Sequence, residues 1–447
     1  MAGNLHKLIG GDFPEREINR LAIPAIIASI AEPLISIGDA AIIGQYAEKD
    51  SVSLGAVAVG STFFLSIIWV FAQTRTAMSS VMSRYYGEKK LEAVRTLVPQ
   101  MIFMNFMLGL FFYLFTNLFS REIFTLYNVE GQQLEETIRY FSIRSIGFPF
   151  VLSTMMMFGV FRGIQNTVWA MSISLVGGLI NILLDQILIG GVDGLISPMG
   201  IEGVAFASLC AQLVMFVMAI FFLYKKAGYS LNFLFPVNQE VYWLLHLTGN
   251  LIIRSLAVQT AYFFSGRIAA GCGPHYLNVH GVFWNIWLFS AFFIEGYCSA
   301  GNALAGKFYG EKNPEMLWRL SKFMIKRTIA IGVGLTLIYF ITYRWIGHLF
   351  LTNSTELEIF YSAFWLVALV QPFNAFAFTY DELLKGIGEM KYIRNTLIIA
   401  TFIGFVPVIH FLDFMEWHLL SVWSAFIVWM SIRGGRLMLY FNRNFSY

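Results

Sequence analysis

Charge is scarce in this chain. Only 13% of its 447 residues are Asp, Glu, Lys or Arg, about half the roughly 25% usual in soluble domains. The formal net charge of +3 is too small for a nucleic-acid surface, so no nucleic-acid partner is expected. Cysteine is scarcer still. Cys210, Cys272 and Cys298 lie in or beside apolar runs at no metal-like spacing, which argues against a disulfide framework or a zinc site and leaves them as small core residues. The seven histidines show no HExxH or similar ligand pattern, and no Gly-Lys-Ser/Thr phosphate loop occurs. ATP hydrolysis and metal chemistry therefore lack residues to carry them, and no cofactor or metal is expected. No Ser/His/Asp set stands out within the apolar runs. An intramembrane enzyme of acyltransferase type is a rival supported only by His280. The N-terminus lacks a signal-peptide pattern, because the run beginning near Leu21 is too long for an h-region; it is expected to stay as a helix.

What the chain has instead is apolar surface. Hydrophobic residues make up 57% and aromatics 17%, with 44 Phe, 20 Tyr and 11 Trp, and mean hydropathy is +0.65. A soluble core cannot absorb that much, so lipid must be a partner of many side chains. Most aromatics are expected on lipid-facing surfaces and interfacial belts. A minority, of which Trp287 and Met156 are examples, could line a cavity for flat apolar cations.

A spanning helix needs about 20 mostly apolar residues. Twelve candidates lie near 17–46, 53–82, 97–118, 138–161, 168–189, 201–224, 243–268, 276–305, 328–347, 359–384, 393–411 and 418–439. The stretch 226–240, with Gly228, Ser230 and Pro236, separates six spans in 1–225 from six in 241–447. Of the 30 Lys and Arg residues, Lys49, Arg121, Arg139, Arg267 and Arg344 fall on one side, and Arg75, Arg144 and Arg254 fall within spans. The other 22 fall on the side of both termini. That asymmetry places the termini in the cytoplasm of a multi-pass protein of the inner or plasma membrane.

Halves of the chain repeat. Tyr85-Tyr86-Gly87-Glu88-Lys89-Lys90 returns 223 residues later as Phe308-Tyr309-Gly310-Glu311-Lys312-Asn313. Arg162-Gly163 falls on Lys385-Gly386, and Leu54 and Val59 fall on Leu277 and Val282, at the same offset. A constant offset over such distances indicates two copies of one fold unit, as in transporters built from parallel repeats. The expected fold is therefore an all-α integral membrane protein of twelve helices in two six-helix bundles.

Ionisable groups inside spans cost roughly 2.5–3.5 kcal/mol each on insertion scales, so they need partners or water and become functional candidates. The first span holds Glu32 and Asp39, seven apart and on one helix face, with Pro24 and Pro33 favouring a bend. The fifth holds Asn181 and Asp185, four apart. An amide and a carboxylate so placed can hold a cation or pass a proton; interhelical polar packing is the plainer alternative. Arg75 and Arg144 are possible counter-charges for these acids. The second half offers Glu295, Gln371, Asn374 and Asp381, with Arg254 as counter-charge. For Asp381, a solvated helix end is the plainer alternative, and for the arginines a fixed ion pair. Shifted by 223, Asp39 lands on Tyr262 and Asp185 on Val408, so the ionisable chemistry does not follow the repeat.

At this point whole segments resemble the multidrug and toxic compound extrusion family, in its DinF branch. They are LAIPAIIASIAEPLISIGDAAIIGQ at 21–45, FRGIQNT at 161–167, NILLDQILI at 181–189, GIEGVAFASLCAQ at 200–212, FIEGYCSAGNALAGKFYGEKN at 293–313 and YDELLKGIGE at 380–389. The resemblance covers most of the chain. It implies a V of two bundles around a central cavity that alternates between membrane faces. It implies export of small organic, often cationic or amphiphilic, compounds against inward H⁺ or Na⁺ flow, with H⁺ preferred here, by a chain expected to act as a monomer. It assigns ion coupling to Asp39 with Asn181 and Asp185, and second-lobe acids to Glu295 and Asp381. A lipid-linked precursor flippase of the same superfamily is the rival within transport; such proteins usually have more than twelve spans and a strongly cationic cavity.

Overall fold

The computed structural model describes residues 15–46, 51–191, 197–232 and 235–446; side chains at 31–46, 51, 53 and 54 lie outside that description. Glu32, Pro33 and Asp39 are therefore placed on the first helix by backbone alone.

Among the described residues, ten helices are long and apolar enough to cross a membrane. They run Gly55–Gly87, Leu91–Leu118, Gly131–Gly163, Val168–Gly190, Gly200–Lys226, Glu240–Gly271, Pro274–Gly310, Pro314–Phe350, Ser354–Ile387 and Met390–Phe414. Helices Glu15–Tyr46 before them and Leu419–Phe445 after them complete twelve. The last carries Arg433, Arg436 and Arg443, which dilute its apolar run. Each helix coincides with one of the twelve expected spans. The eighth and ninth are longer than expected, at 37 residues each. At 1.5 Å per residue such a helix measures about 55 Å, beyond the roughly 30 Å hydrocarbon core.

Several spans carry irregularities, and those in the tenth and eleventh lie at proline. The second span is broken between Ser51–Phe71 and Thr74–Gly87, where the Gln73 amide donates to the Trp69 carbonyl at 2.9 Å. The eleventh widens into a π-helical turn at Ala400–Phe405 immediately before Pro407; a wide turn re-houses the carbonyl that proline cannot serve. The tenth carries Pro372 in mid-helix. Proline leaves the carbonyl four residues back without its usual donor. That carbonyl belongs to Ala368, and the Thr336 hydroxyl of the ninth span donates to it at 2.7 Å.

The described chain forms two compact units. One comprises Ile27–Met82 and Lys90–Thr248. The other comprises Gly249–Tyr447 together with Ser83–Lys89 and the residues up to Ile26. Within the second unit the two repeated phrases touch. A Cβ added to Gly87 would clash with the Lys307 carbonyl oxygen, and one added to Gly310 would clash with the Arg84 carbonyl oxygen. Lys307 is the repeat partner of Arg84 and Gly310 that of Gly87, so the contact is reciprocal. Glycine is required there because two backbones cross with no room for a side chain. The phrase that betrays the duplication is thus the point where its two copies meet.

Candidate functional site

The fifth span brings Asn181 and Asp185 onto one face of a helix, as four-residue spacing demands. Asn181 Nδ2 donates to Asp185 Oδ2 at 2.9 Å. Asn181 is 5% exposed and Asp185 fully buried. A carboxylate so placed needs hydrogen bonds in return for lost hydration. Helix closeness is set by small residues: a Cβ on Gly203 of the sixth span would lie 2.8 Å from the Leu188 backbone. Of the expected counter-charges, Arg144 sits over the Phe64 ring, 3.9 Å from its centroid, and Arg75 points Nη1 at the Met155 sulfur, 3.9 Å away.

The second unit gathers six charges from four spans. Asp381 Oδ2 lies 2.7 Å from Lys385 Nζ, 3.0 Å from Arg433 Nη2 and 3.3 Å from Arg254 Nη2. Lys385 Nζ is also 2.6 Å from Glu382 Oε1 and 4.0 Å from Glu295 Oε1. The seventh span supplies Arg254, the eighth Glu295, the tenth Asp381, Glu382 and Lys385, and the twelfth Arg433. Asp381, Glu382, Lys385 and Arg433 are all nearly inaccessible. Asp381 Oδ1 and Glu382 Oε2 make no hydrogen bond to the described residues. Burying such ions is tolerable only because three cations offset three acids.

Asp381 is therefore no solvated helix end, and Arg254 is the counter-charge expected. Lys385 and Arg433 are corrections: counted among charges at the membrane face, they lie 3% exposed within the bundle. Setting both aside leaves a Lys/Arg asymmetry of 20 to 5. Glu382, Lys385 and Arg433 are site residues the sequence reading missed. The Asp381-Glu382-x-x-Lys385 spacing was the available signal, since i+3 and i+4 put the ammonium beside both acids; the expected span ended one residue short of it. Gln371 and Asn374 form a separate pair. Asn374 Nδ2 donates to Gln371 Oε1 at 3.1 Å, Gln371 Nε2 donates to the Val367 carbonyl at 2.8 Å, and both residues are fully buried. Trp287 and Met156 are buried as well, each among its own unit's core. Trp287 packs against Tyr262, Trp284 and Phe426. Pro24 is buried on the first helix.

Twelve apolar helices, an internal duplication and charge buried inside the membrane define a multi-pass membrane transporter. The chain belongs to the MatE family, whose model matches residues 24–187 and again 251–409, one match in each half. It is accordingly an efflux transporter of the multidrug and toxic compound extrusion type and not an enzyme, which removes the acyltransferase alternative. The DNA damage-inducible protein F of Escherichia coli K12 is 24% identical over 96% of this chain and 92% of its own. A probable multidrug resistance protein NorM of Thermotoga maritima is 23% identical over 96% and 93%. Among solved structures, a multidrug resistance MATE family transporter of the MOP superfamily in an outward-facing conformation superposes with a TM-score of 0.89. It is 21% identical, and the match covers 98% of this chain and 97% of that one.

Proposed function

We propose that the chain is an antiporter of the inner or plasma membrane, with both termini in the cytoplasm. In this reading it exports small organic, often cationic or amphiphilic, compounds in exchange for inward protons rather than sodium. The observation that carries the choice of ion is the Asn181–Asp185 hydrogen bond. The amide meets the carboxylate through its N–H and not through its oxygen. A hard cation such as sodium is held by several oxygens, whereas the group this amide presents to the carboxylate is an N–H donor. Asp39 binds the proton in this reading, with Asn181 and Asp185 completing the network. Neutralising Asp39 lets the first helix bend near Pro24 and Pro33, which weakens substrate binding and favours release outside. Coupling requires that the proton bind the two states with different affinity.

The test is efflux in proteoliposomes under an imposed pH or sodium gradient, each alone. The unsubstituted protein is expected to respond to the pH gradient, and Asp39→Asn to lose that response while keeping its fold. Normal pH-driven transport by Asp39→Asn, or transport driven by sodium alone, would overturn the assignment.

A further inference from the structure

One lysine holds the second charge cluster together, and its three attachments are unequal. Lys385 Nζ makes hydrogen-bond-length contacts to Glu382 and Asp381, at 2.6 and 2.7 Å, while Glu295 stands at 4.0 Å. An ammonium has three N–H donors, and at 4.0 Å the third carboxylate is beyond hydrogen-bond reach. Exposure divides the acids in the same way. The Asp381 and Glu382 side chains are 1% and 4% exposed, whereas that of Glu295 is 42% exposed. A half-open carboxylate inside a membrane span must meet water, since lipid cannot solvate it. Glu295 is thus the charge of this cluster that a dissolved solute reaches without first breaking a hydrogen-bonded ion pair. The other members, Arg254, Lys385 and Arg433 against Asp381 and Glu382, carry one excess positive charge, and Glu295 cancels it. A positively charged solute arriving at Glu295 meets the Lys385 ammonium already drawn to the same carboxylate.

We propose that Lys385 is a tethered ammonium that competes with the transported organic cation for Glu295. The inference rests on the reading of the chain as an exporter of organic cations. When a cation occupies Glu295, Lys385 gives up its weakest attachment and stays fixed by Asp381 and Glu382, so no buried acid is abandoned. Glu295 belongs to the eighth span and Lys385 to the tenth, so occupancy also loosens an electrostatic tie between those helices. Lys385 is a positioning residue that sets how strongly charged a compound must be to bind; it does not itself touch the compound. Uncharged compounds gain nothing from Glu295 and are indifferent to the tether.

The test is binding of rhodamine 6G, a cationic dye, and of an uncharged BODIPY dye of similar size to the full-length chain in nanodiscs, read by fluorescence polarisation. Lys385→Met is expected to tighten rhodamine 6G about tenfold, the scale of one partly desolvated charge pair, and to leave the uncharged dye unchanged. Glu295→Gln is expected to weaken rhodamine 6G about tenfold and to cancel the effect of Lys385→Met in the double variant. Lys385→Arg keeps the charge and extends its reach, so it should weaken rhodamine 6G several-fold; it serves as the test if Lys385→Met does not fold. Equal changes for both dyes in the Lys385 variants would mean packing alone and would overturn the proposal. Saturable rhodamine 6G binding that ignores both Lys385 variants would overturn it too. Failure of the unsubstituted protein to bind rhodamine 6G at all would instead overturn the exporter reading and this inference with it.

Discussion

The two polar sites solve the problem of charge in a membrane in opposite ways. The fifth-span site holds one acid, fully buried, which accepts a hydrogen bond from an amide on the same helix. The second-unit site is crowded: three acids and three cations from four spans, with Asp381 shared among Arg254, Lys385 and Arg433. A carboxylate facing three cations resists exchange, because removing it strands the partners. The fifth-span carboxylate accepts from a neutral amide instead, and that hydrogen bond holds no partner ion to be stranded. The duplication set the same helices in both halves, and the polar side chains carried on them differ.

The comparison breaks most visibly when each acid is neutralised. Asp381→Asn leaves three buried cations short of an acid and should cost about 3–5 kcal/mol of stability, read as a lowered unfolding temperature of the detergent-purified protein or loss of folded yield. Asp185→Asn should cost no more than about 1 kcal/mol yet abolish pH-driven efflux. Similar stability losses from the two would erase the distinction. A smaller effect tests whether the second unit is as rigid as its charge pairing requires. Gly310→Ala pushes a Cβ into the Arg84 backbone and should destabilise by about 1–3 kcal/mol. Gly435→Ala, where an added Cβ meets nothing within 4 Å, should be neutral or gain up to about 1 kcal/mol from helix propensity. Equal unfolding temperatures for the two alanine variants would show the crossing to be looser than described. Smallest is Thr336→Val, which removes the donor to the Ala368 carbonyl and should cost about 1 kcal/mol; a thermal shift no larger than that of Thr342→Val, an exposed threonine bonded within its own turn, would show that the carbonyl freed by Pro372 finds another donor.

Helix positions were legible because lipid imposes a length and a polarity that composition must meet; the third span was read at Leu97–Leu118 and found there. The Asn181–Asp185 pair was legible because both residues sit on one helix at fixed spacing. The Asp381 cluster was only half legible. Asp381, Glu295 and Arg254 stood out as charges in apolar runs, but Lys385 and Arg433 sat where a charge at the membrane face is ordinary.

The sequence by itself determined the number of helices, the duplication and its offset, since hydropathy and repetition are properties of the chain read in order. Only the tertiary structure decided that the repeated glycines meet each other, that Thr336 serves the carbonyl Pro372 leaves bare, and that Lys385 turns inward. Each of these depends on which helix lies beside which. Residues on different helices carry no mark in the sequence of the partner that packing will give them.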